Sequence, residues 1–244
     1  MPKALSRREA LAVLAGTVAA VFGTIFGLLQ LAEFSRHAGE LKMEGEIIKL
    51  AEPKSRGVVS VEEAVGRRRS RRSYTNDPVL LSDISQLCWA AQGVTEVANR
   101  LRAAPSAGAL YPIELFLVVG NSDLEAGIYH YRSTDHTLET VKRGEYRNQL
   151  REASLGQEWV GNGALDFVIT GVYDRTIAKY GERGRERYVP MEAGCVAENL
   201  YLQAEALGLG TVSVGAFHDD RVREVISAPG QYVPLFVMPM GHIR

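Results

Sequence analysis

One apolar run near the amino terminus breaks the ordinary alternation of polar and apolar positions. Ala10–Ala32 carries no charge, and Thr17, Thr24 and Gln30 are its polar members. At ~1.5 Å per residue a helix over this run is long enough to cross a hydrocarbon core of ~30 Å. It has no polar face of the kind that a helix packed inside a globular domain keeps. Lys3, Arg7 and Arg8 precede it, and Glu33, Arg36, His37 and Glu40 follow with mixed sign. The positive-inside bias therefore puts residues 1–9 in the cytoplasm and the remainder outside. The run exceeds the ~7–15 residues of a cleaved signal core and no small-x-small site follows it, so an uncleaved anchor is expected over 10–32.

Beyond the anchor the pattern changes twice. Residues 33–59 are mixed and charged, include Pro53 and Gly57, and read as a tether. From 60 to 244 the chain alternates helical and strand periodicities, enough for one sizeable core. Ser60-Val61-Glu62-Glu63 is a capping box that opens a short helix running into arginines. A second helix capped by Ser82 buries Ile84, Leu87, Cys88 and Ala91 and stops at Gly93. Ile113–Val119 is a strand; Gly127–Tyr131 and Leu138–Val141 form a hairpin around Asp135; Asp166–Tyr173 is a further strand. Pro190 opens the longest helix, with Ala193, Val196, Ala197, Leu200, Ala204 and Leu207 on one face and Gly208 past its end. Thr211–Val214 is a strand, Asp219 or Asp220 caps a helix, and Pro234–Met240 is the last strand. Helices and strands mix without strict βαβ alternation, so the fold class is α+β.

Composition removes several classes of function. Lys+Arg is 28 against Asp+Glu 29, a net charge of −1 that predicts no general affinity for nucleic acid. Cys88 and Cys195 make neither a disulfide framework nor a cysteine-rich zinc site. The five histidines never fall at i, i+3 or i, i+4, so no metal motif is present. Ser6-Arg7-Arg8-Glu9-Ala10-Leu11 is similar to a twin-arginine export signal, with Ala10 where phenylalanine is more usual.

Three segments carry candidate chemistry. In Arg67-Arg68-Arg69-Ser70-Arg71-Arg72, five arginines in six positions repel one another unless an anion or carboxylates compensate them. Guanidinium forks and a serine hydroxyl match one phosphate; a solvated face, a nucleic-acid patch or a membrane-surface patch would use the same residues. Ala104-Pro105-Ser106-Ala107-Gly108-Ala109-Leu110-Tyr111-Pro112 leads into a strand with small residues between two prolines, which lets a flat ligand approach the backbone. An ordinary loop has the same composition. Leu207–Phe217 is a helix stop, a strand and a glycine turn, without the dinucleotide fingerprint.

In order and spacing these segments resemble the nitroreductase superfamily, and most closely its SagB-type dehydrogenase branch, which includes azoline oxidases. The resemblance runs from about Val61 to Gly241 and extends to Arg175-x-x-x-Lys179-Tyr180-Gly181-x-Arg183, Glu192-Ala193-Gly194 with Glu198-Asn199-Leu200, and Gly215-Ala216-Phe217 followed by Asp219-Asp220. It implies a mainly antiparallel sheet flanked by helices, and a homodimer with FMN in a cleft at the subunit interface. It places Arg68, Ser70 and Arg72, with Arg69 beside them, on the FMN phosphate and ribityl chain. Pro105, Ser106, Ala107, Gly108, Ala109 and Leu110 pack on the isoalloxazine ring, and Val214 and Gly215 pass its N5 edge. Lys179 and Tyr180 match the proton-transfer pair of azoline oxidases.

The implied reaction is hydride transfer through flavin N5 to or from a small organic molecule, a quinone or a peptide heterocycle, with NADH or NADPH as a donor. Relatives often carry a basic residue past the last glycine that also grips the phosphate; Arg244 is the residue in that place here. Cys195 stands where relatives often have histidine and reads as a small core residue. The competing reading is a non-catalytic module on the same fold that binds an anion or lipid through the arginines.

Overall fold

The computed structural model describes residues 45–244. Residues 1–44, and with them the expected anchor over 10–32 and the start of the tether, lie outside the described residues. Among the described residues no helix is long and apolar enough to cross a membrane. The rest of the segment read as a tether is partly built into the domain: Ile47–Lys49 forms strand β1 and pairs with Thr137–Glu139. Its three residues lack the length for a periodic signal, and only the partner strand makes them a strand.

Strands β4 (Ile113–Val119), β5 (Gly127–Arg132), β6 (Thr137–Arg143), β7 (Leu165–Val172), β8 (Leu209–Thr211) and β9 (Tyr232–His242) complete one antiparallel sheet, ordered β1-β6-β5-β4-β7-β9-β8. The short strands β2 (Val94–Glu96) and β3 (Leu101–Arg102) stand apart from it and pair with each other.

β4 and β7 lie at the centre of the sheet, and all eight residues of β7 are buried. Their near-continuous apolar runs suit strands covered on both faces. Leu115 and Leu117 of β4 lie opposite Ile169 and Phe167 of β7. These four belong to the core face covered by α2 (Leu81–Gln92) and the long helix α6 (Val189–Ala206), through Ile84, Leu87, Val196 and Leu200. Alternate residues Phe116, Val118 and Val168 point to the other face. There α3 (Arg147–Ala153), the one-turn α4 (Trp159–Asn162) and α7 (Asp219–Val225) contribute the buried Leu150, Val160 and Val222. The α+β class and the mainly antiparallel sheet expected from the sequence are both present.

The capping box on α1 (Val61–Arg67) forms as read: Ser60 Oγ accepts the Glu63 amide at 3.1 Å and Glu63 Oε2 accepts the Ser60 amide at 3.0 Å. Two other expected caps differ. α2 starts at Leu81, and its first amide donates to Asp123 Oδ1 at 2.6 Å, so a distant carboxylate takes the place assigned to Ser82. α7 has His218 at its N-cap position without a side-chain cap, and Asp219 and Asp220 lie inside the first turn. There their charges favour the positive end of the helix dipole. α6 ends as expected, with Gly208 beyond it at φ +72°.

Asp166 stands out among the buried polar side chains. It is fully buried on β7, and neither carboxylate oxygen makes a well-formed hydrogen bond among the described residues. Burial pushes its pKa up to about 8, against the opposing pull of Arg147 and the nearby Gly161 amide. The folded state therefore retains a proton that the unfolded chain releases near pH 4, so this group erodes stability as pH rises from about 4 to about 8. Asp166→Asn removes that titration. Its stability relative to the parent should improve across this window, by at most about 1.4 kcal/mol per pH unit, and level off above it. Urea denaturation of both proteins at about pH 4, 6 and 8 checks this; parallel pH profiles would overturn it.

Candidate functional site

The arginine run leaves α1 as an extended strand-like segment laid beside β8. Ser70 bridges Thr211 in parallel, and the Arg71 amide donates to the Thr211 carbonyl at 2.8 Å. In extended backbone successive side chains point to opposite sides. Arg68, Ser70 and Arg72 thus share one side and Arg71 takes the other, where its Nε is buried and its side chain abuts Gly210. The alternation of the Arg-x-Ser-x-Arg pattern follows from this geometry. Arg69 is not brought to the same group: its guanidinium turns back to the Gly66 and Arg68 carbonyls, at 3.2 and 2.7 Å.

The outward cations are poorly compensated. Arg68 Nε lies 3.7 Å from Glu198 Oε1, and its guanidinium stands 5.1 Å from the centre of the Tyr201 ring. Arg72 rests over Trp159 at 5.3 Å and makes no ion pair among the described residues. Arg244 does not join them through its Nε, which donates to the Tyr74 carbonyl at 2.8 Å. That contact braces the backbone just past Arg72.

Tyr201, on α6, ties this segment to the glycine turn. Its hydroxyl oxygen accepts the Ser213 amide at 2.7 Å and lies 3.3 Å from Ser70 Oγ. The next residue, Val214, spends its amide on the Val237 carbonyl at 2.9 Å. Of the pair Val214 and Gly215, only Gly215 is exposed, and beyond its two chain neighbours nothing lies within 4 Å of where a Cβ would stand. A ligand can therefore approach its backbone closely.

The second cluster forms around the small-residue loop. Gly108, Ala109 and Tyr111 have φ of +66°, +54° and +45°. Non-glycine residues in this region carry strain that surrounding contacts must offset. The Tyr111 amide donates to Ser106 Oγ at 2.8 Å, closing the loop on itself. Gly108 packs against the end of α5 (Asp174–Tyr180): a Cβ added there would lie 2.7 Å from Tyr180 Oη and 2.8 Å from Lys179 Nζ. Any larger residue at 108 would have to displace that pair. Lys179 Nζ lies 5.3 Å from the Tyr180 ring centre, and Tyr180 stands edge-on to Tyr188 at 5.1 Å. The loop and the Lys179–Tyr180 pair, separate in the sequence, are thus in contact.

Behind the loop Glu192 is buried on α6. Burial raises its pKa to about 7, opposed by the nearby polar side chains of Ser106 and Gln92 and by the charges of Arg102 and Arg175. Sequence reading assigned no role to Tyr201, Trp159 or Arg102, which bear on the two clusters only through tertiary contact. Cys195 lies at the margin of the core, as expected of a small packing residue. The donor set suits a ligand with a phosphate and a flat ring: undercompensated guanidiniums and a hydroxyl in one place, and small-residue backbone in two others.

Comparison with known proteins gives the family. The nitroreductase family profile matches residues 65–242. The sequence-predicted nitroreductase MJ1384 of Methanocaldococcus jannaschii is 40% identical over 187 residues, covering 75% of this chain and 91% of that protein. The microcin B17-processing protein McbC of Escherichia coli is 30% identical over 150 residues, 59% of this chain and 55% of McbC. A structure from Ralstonia eutropha, assigned as a nitroreductase, superposes with a TM-score of 0.72 at 27% identity, covering 84% of this chain and 96% of that one. The chain belongs to the nitroreductase family.

Proposed function

We propose that this protein is an FMN-dependent oxidoreductase that exchanges hydride with a quinone, another small organic molecule or a peptide heterocycle. The observation that carries the reading is the convergence of Arg68, Ser70 and the Ser213–Gly215 turn around Tyr201. FMN, when bound, supplies a hydride-accepting and hydride-donating centre. Arg68 and Arg72 would neutralise its phosphate while Ser70 adds a hydroxyl donor. The loop Pro105–Leu110 would support the ring, and the Gly215 amide would stabilise charge at the ring edge. Lys179 and Tyr180 are the candidates to hold and move the substrate proton, at Nζ and Oη.

The exposure of Ser70, Arg72, Gly108, Lys179 and Gly215 favours a cleft completed by a second copy of the chain. NADH or NADPH is the proposed donor. The likeness to McbC favours a peptide substrate, whereas the apolar run over 10–32 favours a membrane-tethered domain facing outside and a quinone. Protease added to intact cells should remove the domain; full protection in cells whose surface is accessible would overturn that orientation.

Arg68→Ala with Arg72→Ala should weaken FMN binding at least about a hundredfold, since charge-assisted hydrogen bonds contribute roughly 1.5–3 kcal/mol each. Equilibrium binding by quenching of FMN fluorescence measures this. Unchanged affinity, with salt-sensitive binding of anionic vesicles lost, would favour the non-catalytic module instead. Tyr201→Phe removes the hydroxyl that accepts the Ser213 amide and should cost about tenfold in FMN affinity. An unaltered affinity would show that the two segments keep their spacing without it.

A further inference from the structure

Arg175 matches the family-like motif around Lys179 and has so far entered only through its charge on Glu192. It sits one helical turn before Lys179 on α5, so the two share a face of that helix. Its Nη1 donates to the Tyr111 carbonyl at 2.9 Å and lies 2.6 Å from Glu114 Oε1 on β4. The other oxygen of Glu114 lies 2.9 Å from His130 Nε2 on β5. Burial pushes the Glu114 carboxyl upward, but its His130 and Arg175 partners outweigh that and hold it below the ordinary range.

Tyr111 is thereby gripped at three points. Its amide donates to Ser106, its carbonyl accepts from Arg175, and its hydroxyl accepts the Arg102 amide at 3.2 Å. The Arg102 guanidinium also covers the ring at 4.5 Å. Of these contacts, the one from Arg175 reaches from the helix that bears Lys179 and Tyr180. One guanidinium therefore links three bodies: the sheet through Glu114, the strained loop through Tyr111, and α5 through its own backbone.

We propose that Arg175 is a positioning residue that sets the Lys179–Tyr180 pair against the Pro105–Tyr111 loop. One nitrogen, Nη1, meets a carboxylate and a carbonyl at once, and the planar guanidinium fixes the directions of its two hydrogens, so the side chain is held in direction as well as in charge. Rotation of α5 would carry Lys179 with it, because the two residues stand on one face. Lysine at 175 would keep the charge and lose the planar group that fixes the donor directions. The consequence for function rests on the proposed role of Lys179 and Tyr180; the mechanical link between α5 and the loop does not.

The test uses the full-length protein. Backbone hydrogen–deuterium exchange of residues 105–112, measured before and after FMN is added, reads the loop directly. Turnover with NADPH and a soluble quinone reads the pair. Arg175→Met should speed exchange of this loop at least fivefold without FMN and lower kcat tenfold or more, with KM within twofold. Arg175→Lys should recover less than half of either loss. Arg175→Met combined with Glu114→Gln removes the stranded carboxylate, so a folding defect confined to the single variant is separated from the loss of positioning. Wild-type exchange in the double variant would overturn the proposal, as would lowered kcat with unchanged exchange. If Lys179→Ala and Tyr180→Phe keep full turnover while Arg175→Met speeds loop exchange, the catalytic reading of the pair fails and the link stands. If the parent binds no FMN and turns nothing over, the proposed function fails and loop exchange alone decides the link.

Discussion

The Tyr201 hydroxyl holds together segments that lie 131 and 12 residues from it along the chain. Its oxygen accepts the Ser213 amide and meets the Ser70 hydroxyl, while its ring lies under Arg68. Both segments are short and are tied to the sheet edge by few backbone bonds, the first at Thr211 and the second at Val237. Tyr201 adds a further tie from α6, a helix anchored in the core through Val196, Leu200 and Ala204. Glu192 stands about two and a half turns earlier on the same helix, behind the small-residue loop. α6 is thus the common rigid reference for both clusters.

Charge is distributed according to what must remain available. Arg69 and Arg71 are committed to backbone or buried against the sheet edge, and Arg244 braces Tyr74. Arg68 and Arg72 keep their faces toward solvent over aromatic rings, which support a cation without neutralising it. The buried carboxyls show the opposite logic. Glu114 is paired and keeps its charge, whereas burial favours the protonated forms of Asp166 and Glu192.

The small-residue loop stores strain where a ligand is expected to lie. Ala109 and Tyr111 adopt positive φ, and the arginines around Tyr111 supply the contacts that hold them there. Gly108 is required by space as well as by conformation, because Lys179 and Tyr180 fill the volume a side chain would take.

The sequence by itself determined the α+β class, the buried strands around Ile113–Val119 and Asp166–Tyr173, the long helix from Pro190, and the arginine–serine and small-residue segments. Those features are written in hydrophobic period, capping chemistry and glycine placement, all of which act over a few residues. Strand β1, the Asp123 cap on α2 and the turning back of Arg69 were not legible there. Each depends on a partner supplied by the fold: Thr137–Glu139 across the ladder, a carboxylate 42 residues away, and carbonyls freed at the end of α1. Only the tertiary structure brought Lys179 and Tyr180 to Gly108 and placed Tyr201 between Ser70 and Ser213. Contacts of that kind arise from how helices pack on a sheet, and no local spacing encodes them.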